Sequence, residues 1–508
     1  MDFIFYLTLM FFIMIFSSYD NIIDYDFWAR LTVGKSFFQT GTLFNFDFQS
    51  FGTTHQFIDH EWGSSLIFYL IQNNFNDIGI YIFKVLIIFL TLFFLIKVIK
   101  LKTFNVKLHF LFFFFCLQAI SYNIFSTVRC QTLTFLFFSI FLYALEYSRI
   151  KNNHRVLFCL PLLSIIWQNC HGGFVMGLSL ILIYALGIFL NEKDFNKSKP
   201  YLFTFLASLG VILINPYGIK YLFFIIDAFR LNRIFITEWQ SAFFYEPFYL
   251  KLLKFKIAFA ITFLIFIYSI LKNIKINGIK NYYNKIDKVK YLLIIFTILI
   301  SLKSLRCHVF FIYTLIAFCY VDFYNIFNKK LPEKIDNFKE IIIFFLISIS
   351  MVSHLYKYKF INRVPPSVYP VSEVEFIKLN NLKGNVFVNF HLGSYVAYKL
   401  YPDNFVFMDG RYEEVYDVNL INDMAKIYVT DEYKFYFSKY HFDMLIVEKS
   451  YPLFEMLMKD KDFSLVFEDD FFGLFLDNKL KKDKYIIPTN DLKYYNKEKF
   501  KTNINWIN

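Results

Sequence analysis

Two carboxylates one residue apart, Asp24 and Asp26 in D-Y-D-F-W, lie just outside the first apolar run of the chain. Side chains at this spacing can hold a hard divalent cation such as Mg²⁺ or Mn²⁺, or one of them can take a proton as a general base. A helix does not bring residues i and i+2 to one face, so either role asks for a turn or an extended segment. The plain alternative is an acidic, solvated loop. At the far end of the same stretch, D-H-E-W (Asp59 to Trp62) adds His60 and Glu61. They can complete a metal site made of Asp24, Asp26 and His60, or position an acceptor. Equally, Asp59 and Glu61 can cap the helix that starts near Trp62, where the helix dipole favours acids.

Arg129 and Arg306 stand at the ends of apolar runs. A charge at membrane depth needs a partner, and phosphate suits a guanidinium. An arginine snorkelling to the interface, or a salt bridge to the acidic loop, meets the same need. His171, in W-Q-N-C-H-G-G-F, occupies a turn between two runs and is either a substrate ligand or an ordinary polar loop residue. N-P-Y-G at 215–218 reads as a helix stop and turn. Near the C-terminus, His391, Asp409 and Arg411 fall at the ends of short apolar runs, where α/β sheets bind ligands. A loop-anchoring Asp409–Arg411 pair explains two of them as well.

The elements that must position these residues are mostly membrane helices. The chain is 57% hydrophobic with 72 Phe, a composition that excludes an ordinary soluble domain. About eleven spans are expected, near 3–18, 77–96, 108–122, 131–148, 155–168, 174–190, 201–214, 257–271, 290–304, 309–326 and 340–354. A shorter apolar helix at 63–73 lies at the interface or packs inside the bundle. The first run lacks a basic flank and a cleavage site, so it reads as a retained span. The formal charge of +12 is concentrated in alternate short loops, at 97–107, 149–155, 193–199, 272–290 and 329–339, which places them in the cytoplasm. Nucleic acid is therefore a poor reading of the charge. The other loops carry all the chemistry named above and face the outside. Six scattered cysteines form no zinc-type or disulfide pattern.

Beyond about residue 360 the composition becomes that of a soluble domain. Apolar runs at 386–388, 405–408, 444–447, 464–467 and 473–476 read as strands, separated by helices at 393–401, 413–428, 431–439 and 451–459. The expected architecture is an α-helical polytopic membrane domain, residues 1–356, with an acidic first outer loop at 19–62. A small extracytoplasmic α/β domain follows at 357–508.

The order D-Y-D-F-W…D-H-E-W, R-C-Q at 129–131, W-Q-N-C-H-G-G-F, N-P-Y-G and F-M-D-G-R at 407–411 resembles a family of uncharacterised bacterial multi-spanning proteins. That family is similar to the GT-C class of membrane glycosyltransferases. The resemblance implies transfer of a sugar from a polyprenyl-phosphate donor to a glycan, lipid or protein acceptor, usually with inversion, at the outer face of a bacterial plasma membrane. It implies Asp24 or Asp26 as base or metal ligand, His60 and Glu61 closing the site, and Arg129 and Arg306 as candidates for the lipid phosphate. Arg30 and Asp59-His60-Glu61 depart from the His and the Lys-Pro-Pro element of some relatives. The rival readings are an O-antigen polymerase or ligase, which relies on outer Arg and His residues, a carrier or flippase for a lipid-linked glycan, and a scaffold. A carrier would place ionisable groups near the membrane midplane and show repeats, and neither is evident here.

Overall fold

The computed structural model describes residues 23–52, 57–102, 128–230, 237–241, 250–277, 286–327, 364–411, 415–430 and 432–486, with scattered positions among the first seventeen. The expected spans at 108–122 and 340–354 lie outside these residues, as does most of 3–18.

The membrane part runs through α1 (Tyr25–Thr40), α2 (Trp62–Lys102), α3 (Cys130–Lys151), α4 (Cys159–Cys170), α5 (Val175–Glu192), α6 (Phe195–Gly210), α7 (Ile219–Arg230), α8 (Leu250–Asn277), α9 (Lys288–Lys303) and α10 (His308–Phe327). Among the described residues, Trp62–Lys102, Cys130–Lys151 and Gly172–Glu192 are long and apolar enough to cross a membrane. Helices α4, α6, α8, α9 and α10 overlap the expected spans at 155–168, 201–214, 257–271, 290–304 and 309–326, whereas α1 and α7 fall on no expected span. Large apolar side chains such as Phe203, Leu206, Phe223 and Leu264 face outward. That surface suits hydrocarbon rather than water.

Two features differ from the sequence reading. The stretch expected as an acidic loop is largely the helix α1. Asp24 caps it by accepting from the Asp26 amide, and Gly41 closes it in the left-handed conformation (φ 72°). The shorter apolar helix expected at 63–73, at the interface or inside the bundle, is the first part of α2. Asn76, at φ 53°, breaks the helix between the two expected segments.

The C-terminal domain follows α11 (Val371–Leu379) with β1 (Gly384–Phe387), α12 (Phe390–Leu400), β2 (Asn404–Val406), α13 (Val418–Val429), α14 (Tyr433–Tyr440), β3 (Met444–Glu448), α15 (Pro452–Leu457), β4 (Phe463–Glu468) and β5 (Phe472–Asp477). The strand order is β2-β1-β3-β5-β4, with β1 parallel to both β2 and β3, and β5 antiparallel to β3 and β4. Alternation along the strands buries both faces. Val386, Met444 and Ile446 join a core shared with Phe27 and Trp28 of α1. Phe387, Leu445 and Val447 face α13, α14 and α15. Helix α1 is thus packed between α2 and the C-terminal domain, and Lys35 Nζ donates to the Tyr401 carbonyl, 3.1 Å away, at the end of α12.

The segment after α1 is tied to the same domain. Phe51 donates to the Val406 carbonyl and the Val406 amide donates to the Gln49 carbonyl, at 3.0 and 3.2 Å, extending the sheet beyond β2. Arg411 anchors this junction, with Nε on Asp409 Oδ1 and Nη2 on Asp47 Oδ1, both at 2.8 Å and fully enclosed.

At the opposite ends of α2 and α3 lies another charge cluster. Arg149 donates to both Glu146 oxygens and, at 2.8 Å, to both Asp287 oxygens, while Lys102 Nζ is 3.8 Å from Glu146. Asp287 caps α9, so the cluster ties three helix ends together.

Candidate functional site

Four separate connections converge at the Asp24 end of the bundle. Arg129 caps the start of α3, Glu238 lies in a short helical turn, and Arg306 lies in the turn before α10. Arg129 donates through Nη2 to Asp24 Oδ2 at 2.5 Å and through Nη1 to Glu238 Oε1 at 2.6 Å. Arg306 Nε donates to the other Glu238 oxygen at 2.8 Å, and its guanidinium lies over the Trp239 ring. Both arginines therefore have protein partners here, through the acidic α1 terminus and an acid from a third connection.

Asp26 sits half-buried in the first turn of α1, next to this network. Burial, then the Asp24 carboxylate, push it up to about 7, against the pull of Arg129 and Arg306. A carboxyl near neutrality is suited to accept a proton. Burial would raise Glu238 too, but the two arginines overcome it and hold that carboxyl at about 2. The C-terminal domain closes over Asp26 through F-M-D-G-R. A Cβ added at Gly410 would lie 3.6 Å from Asp26 Oδ1, and the Gly410 amide donates to Ser394 Oγ in α12. Asp409 and Arg411 hold this turn through the Asp47 bridge, in the anchoring role.

A second group stands beside the first. Arg30 pairs with Asp59 and lies 3.6 Å from Glu61 Oε2. His60 Nε2 and His171 Nε2 approach Glu61 Oε1 at 3.7 and 3.6 Å. His171 Nδ1 accepts from the Gly173 amide at 2.9 Å, so in the neutral ring the proton is on Nε2, facing Glu61. Burial pushes His171 down to about 4, despite Glu61. Burial would raise Glu61, but His60, Arg30, His171 and Arg306 outweigh it and hold it at about 2. Arg306 acts on both Asp26 and Glu61, which makes the two groups neighbours in one electrostatic site.

The expected metal set is not assembled. Among the described residues no three His, Cys, Asp or Glu side chains gather as cation ligands. Asp24 is held by Arg129 and His60 faces Glu61, so two of the three side chains expected as ligands have protein partners here. Asp59 serves the helix start, accepting from the Glu61 amide at 2.9 Å. Glu238 is a residue that the sequence places in an outer connection without a role. Its signal was an acid beside Trp239 in a connection otherwise poor in charge.

The sequence matches no family profile and no curated protein. Among solved structures, the fold is similar to that of the Archaeoglobus fulgidus oligosaccharyltransferase in its apo form. The TM-score is 0.52 at 9% sequence identity, over 87% of this chain and 69% of that one. At that identity the likeness is one of fold.

Proposed function

We propose that the chain is an integral membrane glycosyltransferase of the GT-C type, with about eleven spans and its C-terminal domain outside the plasma membrane of a bacterium. It moves a sugar from a polyprenyl-phosphate donor to an acceptor hydroxyl. One observation carries this reading: Asp26, with a proton affinity near neutrality, stands beside two arginines that share one carboxylate. Glu238 offers an oxygen to each guanidinium, the geometry a phosphate would adopt between them. The donor phosphate takes that place as Glu238 yields. The acceptor oxygen then bonds to the anomeric carbon, the bond from that carbon to the phosphate oxygen breaks with its electron pair on the phosphate, and Asp26 receives the acceptor proton. Arg129 and Arg306 meet the charge that develops on the leaving group. Attack opposite the leaving group inverts the anomeric centre.

The test is sugar transfer by purified protein from a polyprenyl-phosphate donor, with and without EDTA. Asp26→Asn keeps the shape and removes the base, so transfer falls about a hundred- to ten-thousandfold while donor binding persists. Undiminished turnover in Asp26→Asn, Asp24→Asn and the double variant would sink the carboxylate mechanism. Loss of activity in EDTA, restored by Mn²⁺, would return the cation to the site.

A further inference from the structure

A second polar cluster opens on the same site from the C-terminal domain. Strands β1 and β3 are parallel neighbours, and their carboxyl ends lead into Asn389 and His391 on one side and Glu448 and Tyr451 on the other. Such ends are where α/β sheets receive ligands. His391 Nε2 is 3.6 Å from Glu448 Oε1, and the His391 ring packs edge-on against Tyr25 at 5.0 Å between centroids. Asn389 Nδ2 donates to the Tyr451 hydroxyl at 3.2 Å, and the Tyr451 ring lies 4.7 Å from that of Tyr428.

Two polar atoms in this cluster are buried without a hydrogen-bond partner among the described residues: Glu448 Oε1 and the Tyr428 hydroxyl. Tyr428 is only 5% exposed. A buried acceptor and hydroxyl without partners cost folding energy unless a water or a ligand completes them. Glu448 Oε1 is buried, but 24% of the Glu448 side chain is accessible, so a ligand meets the carboxylate from its exposed side. Tyr25 joins the cluster to the chemistry, because it lies between Asp24 and Asp26 in the chain and feels the charges of both Asp24 and Glu448.

The ligand class follows from the groups present. Burial pushes His391 down to about 4, so the ring is neutral, and Glu448 leaves the cluster without positive charge to attract a phosphate. Phosphate belongs with Arg129 and Arg306. A carboxylate, an imidazole and an amide among tyrosine rings suit a ligand with several hydroxyls and a flat apolar face. We propose that Tyr25, His391, Glu448 and Tyr451 form the acceptor subsite and that the acceptor is a saccharide whose hydroxyl donates to Glu448. The assignment of this ligand as acceptor rests on the glycosyltransferase reading above.

Saccharide binding is measured without turnover, which separates the two ideas. The full chain in phosphatidylcholine nanodiscs is titrated with methyl glycosides of glucose, galactose, mannose and N-acetylglucosamine, followed by saturation-transfer NMR. At least one glycoside binds the unmodified chain. Glu448→Gln weakens its Kd about ten- to hundredfold, the value of a hydrogen bond to a charged group. Tyr451→Phe weakens it less. Inorganic phosphate does not compete. Binding of none of the four glycosides, or binding indifferent to Glu448→Gln and Tyr451→Phe in folded protein, overturns the subsite. Saccharide binding at Glu448 in a protein that transfers nothing would instead leave the subsite and remove the glycosyltransferase reading.

Discussion

In the proposed mechanism the proton on Asp26 sets the activity. Its carboxyl is pushed up to about 7, so the base form is the minority species in mild acid. The transfer rate should rise with pH through about 7 and level off above it. Glu238 is one of the charges raising Asp26, so Glu238→Gln should move that rising limb to lower pH. A pH–rate profile of the two proteins checks the shift; an unmoved limb would detach Glu238 from the base. Stability carries the opposite sign, since the folded chain holds this proton up to about 7 and the unfolded chain releases it near 3.8. Ionising Asp26 therefore destabilises the fold as pH rises between those values. The charged residues were legible in sequence because a carboxylate or guanidinium at the edge of an apolar run needs a partner. Which partner it takes was not legible. Glu238 meets Arg129 only through a contact spanning 109 residues.

Helix α1 was hidden for a different reason. Arg30, Thr32, Gly34 and Ser36 interrupt any apolar stripe, yet all are buried, because α2 covers one side and the C-terminal domain the other. Periodicity detects a helix with one wet face, and α1 has none in its middle. Asp24 caps it and Gly41 stops it, roles the sequence reading gave to neither. The strands were easier, since short apolar runs between turns mark buried strands; α11, only nine residues long, was missed. Packing between elements also depends on Gly393 in α12. A Cβ there would lie 2.0 Å from the Met408 carbonyl oxygen, in the strand exit that carries the D-G-R turn. Gly393→Ala should cost about 1–3 kcal/mol of domain stability, as overpacking does. It should also lower transfer by moving Gly410 from Asp26, while donor binding holds. Thermal unfolding and kcat measured on one preparation check both effects.

Across the whole molecule, the two charge clusters mark opposite ends of the same helices. Asp24, Arg129 and Glu238 occupy one end, and Lys102, Glu146, Arg149 and Asp287 the other. The distribution of lysines suggested this polarity, because basic loops stay in the cytoplasm. Single cysteines in a background cleared of native ones should label accordingly: residue 403 only from outside, residue 153 only from the cytoplasm. Cytoplasmic labelling of residue 403 would put the proposed site on the wrong side for a polyprenyl-linked donor facing outward. The meeting of the early helix α1 with the late α/β domain was not legible from any local pattern. Each contact spans most of the chain, as when Lys35 reaches Tyr401, 366 residues away.

The junction between the segment after α1 and strand β2 also has a place in time. Asp47 leaves the ribosome 364 residues before its partner Arg411. At ordinary synthesis rates of about 5–20 residues per second, that separation lasts roughly 20–70 s. During that interval the edge formed by Gln49 and Phe51 lacks its strand, and Asp26 has no roof. A chain stopped before residue 384 should therefore stay open to protease between residues 47 and 52, whereas the finished chain is protected there. Biosynthesis would then withhold the active arrangement until the last domain has folded, and no incomplete chain would consume donor.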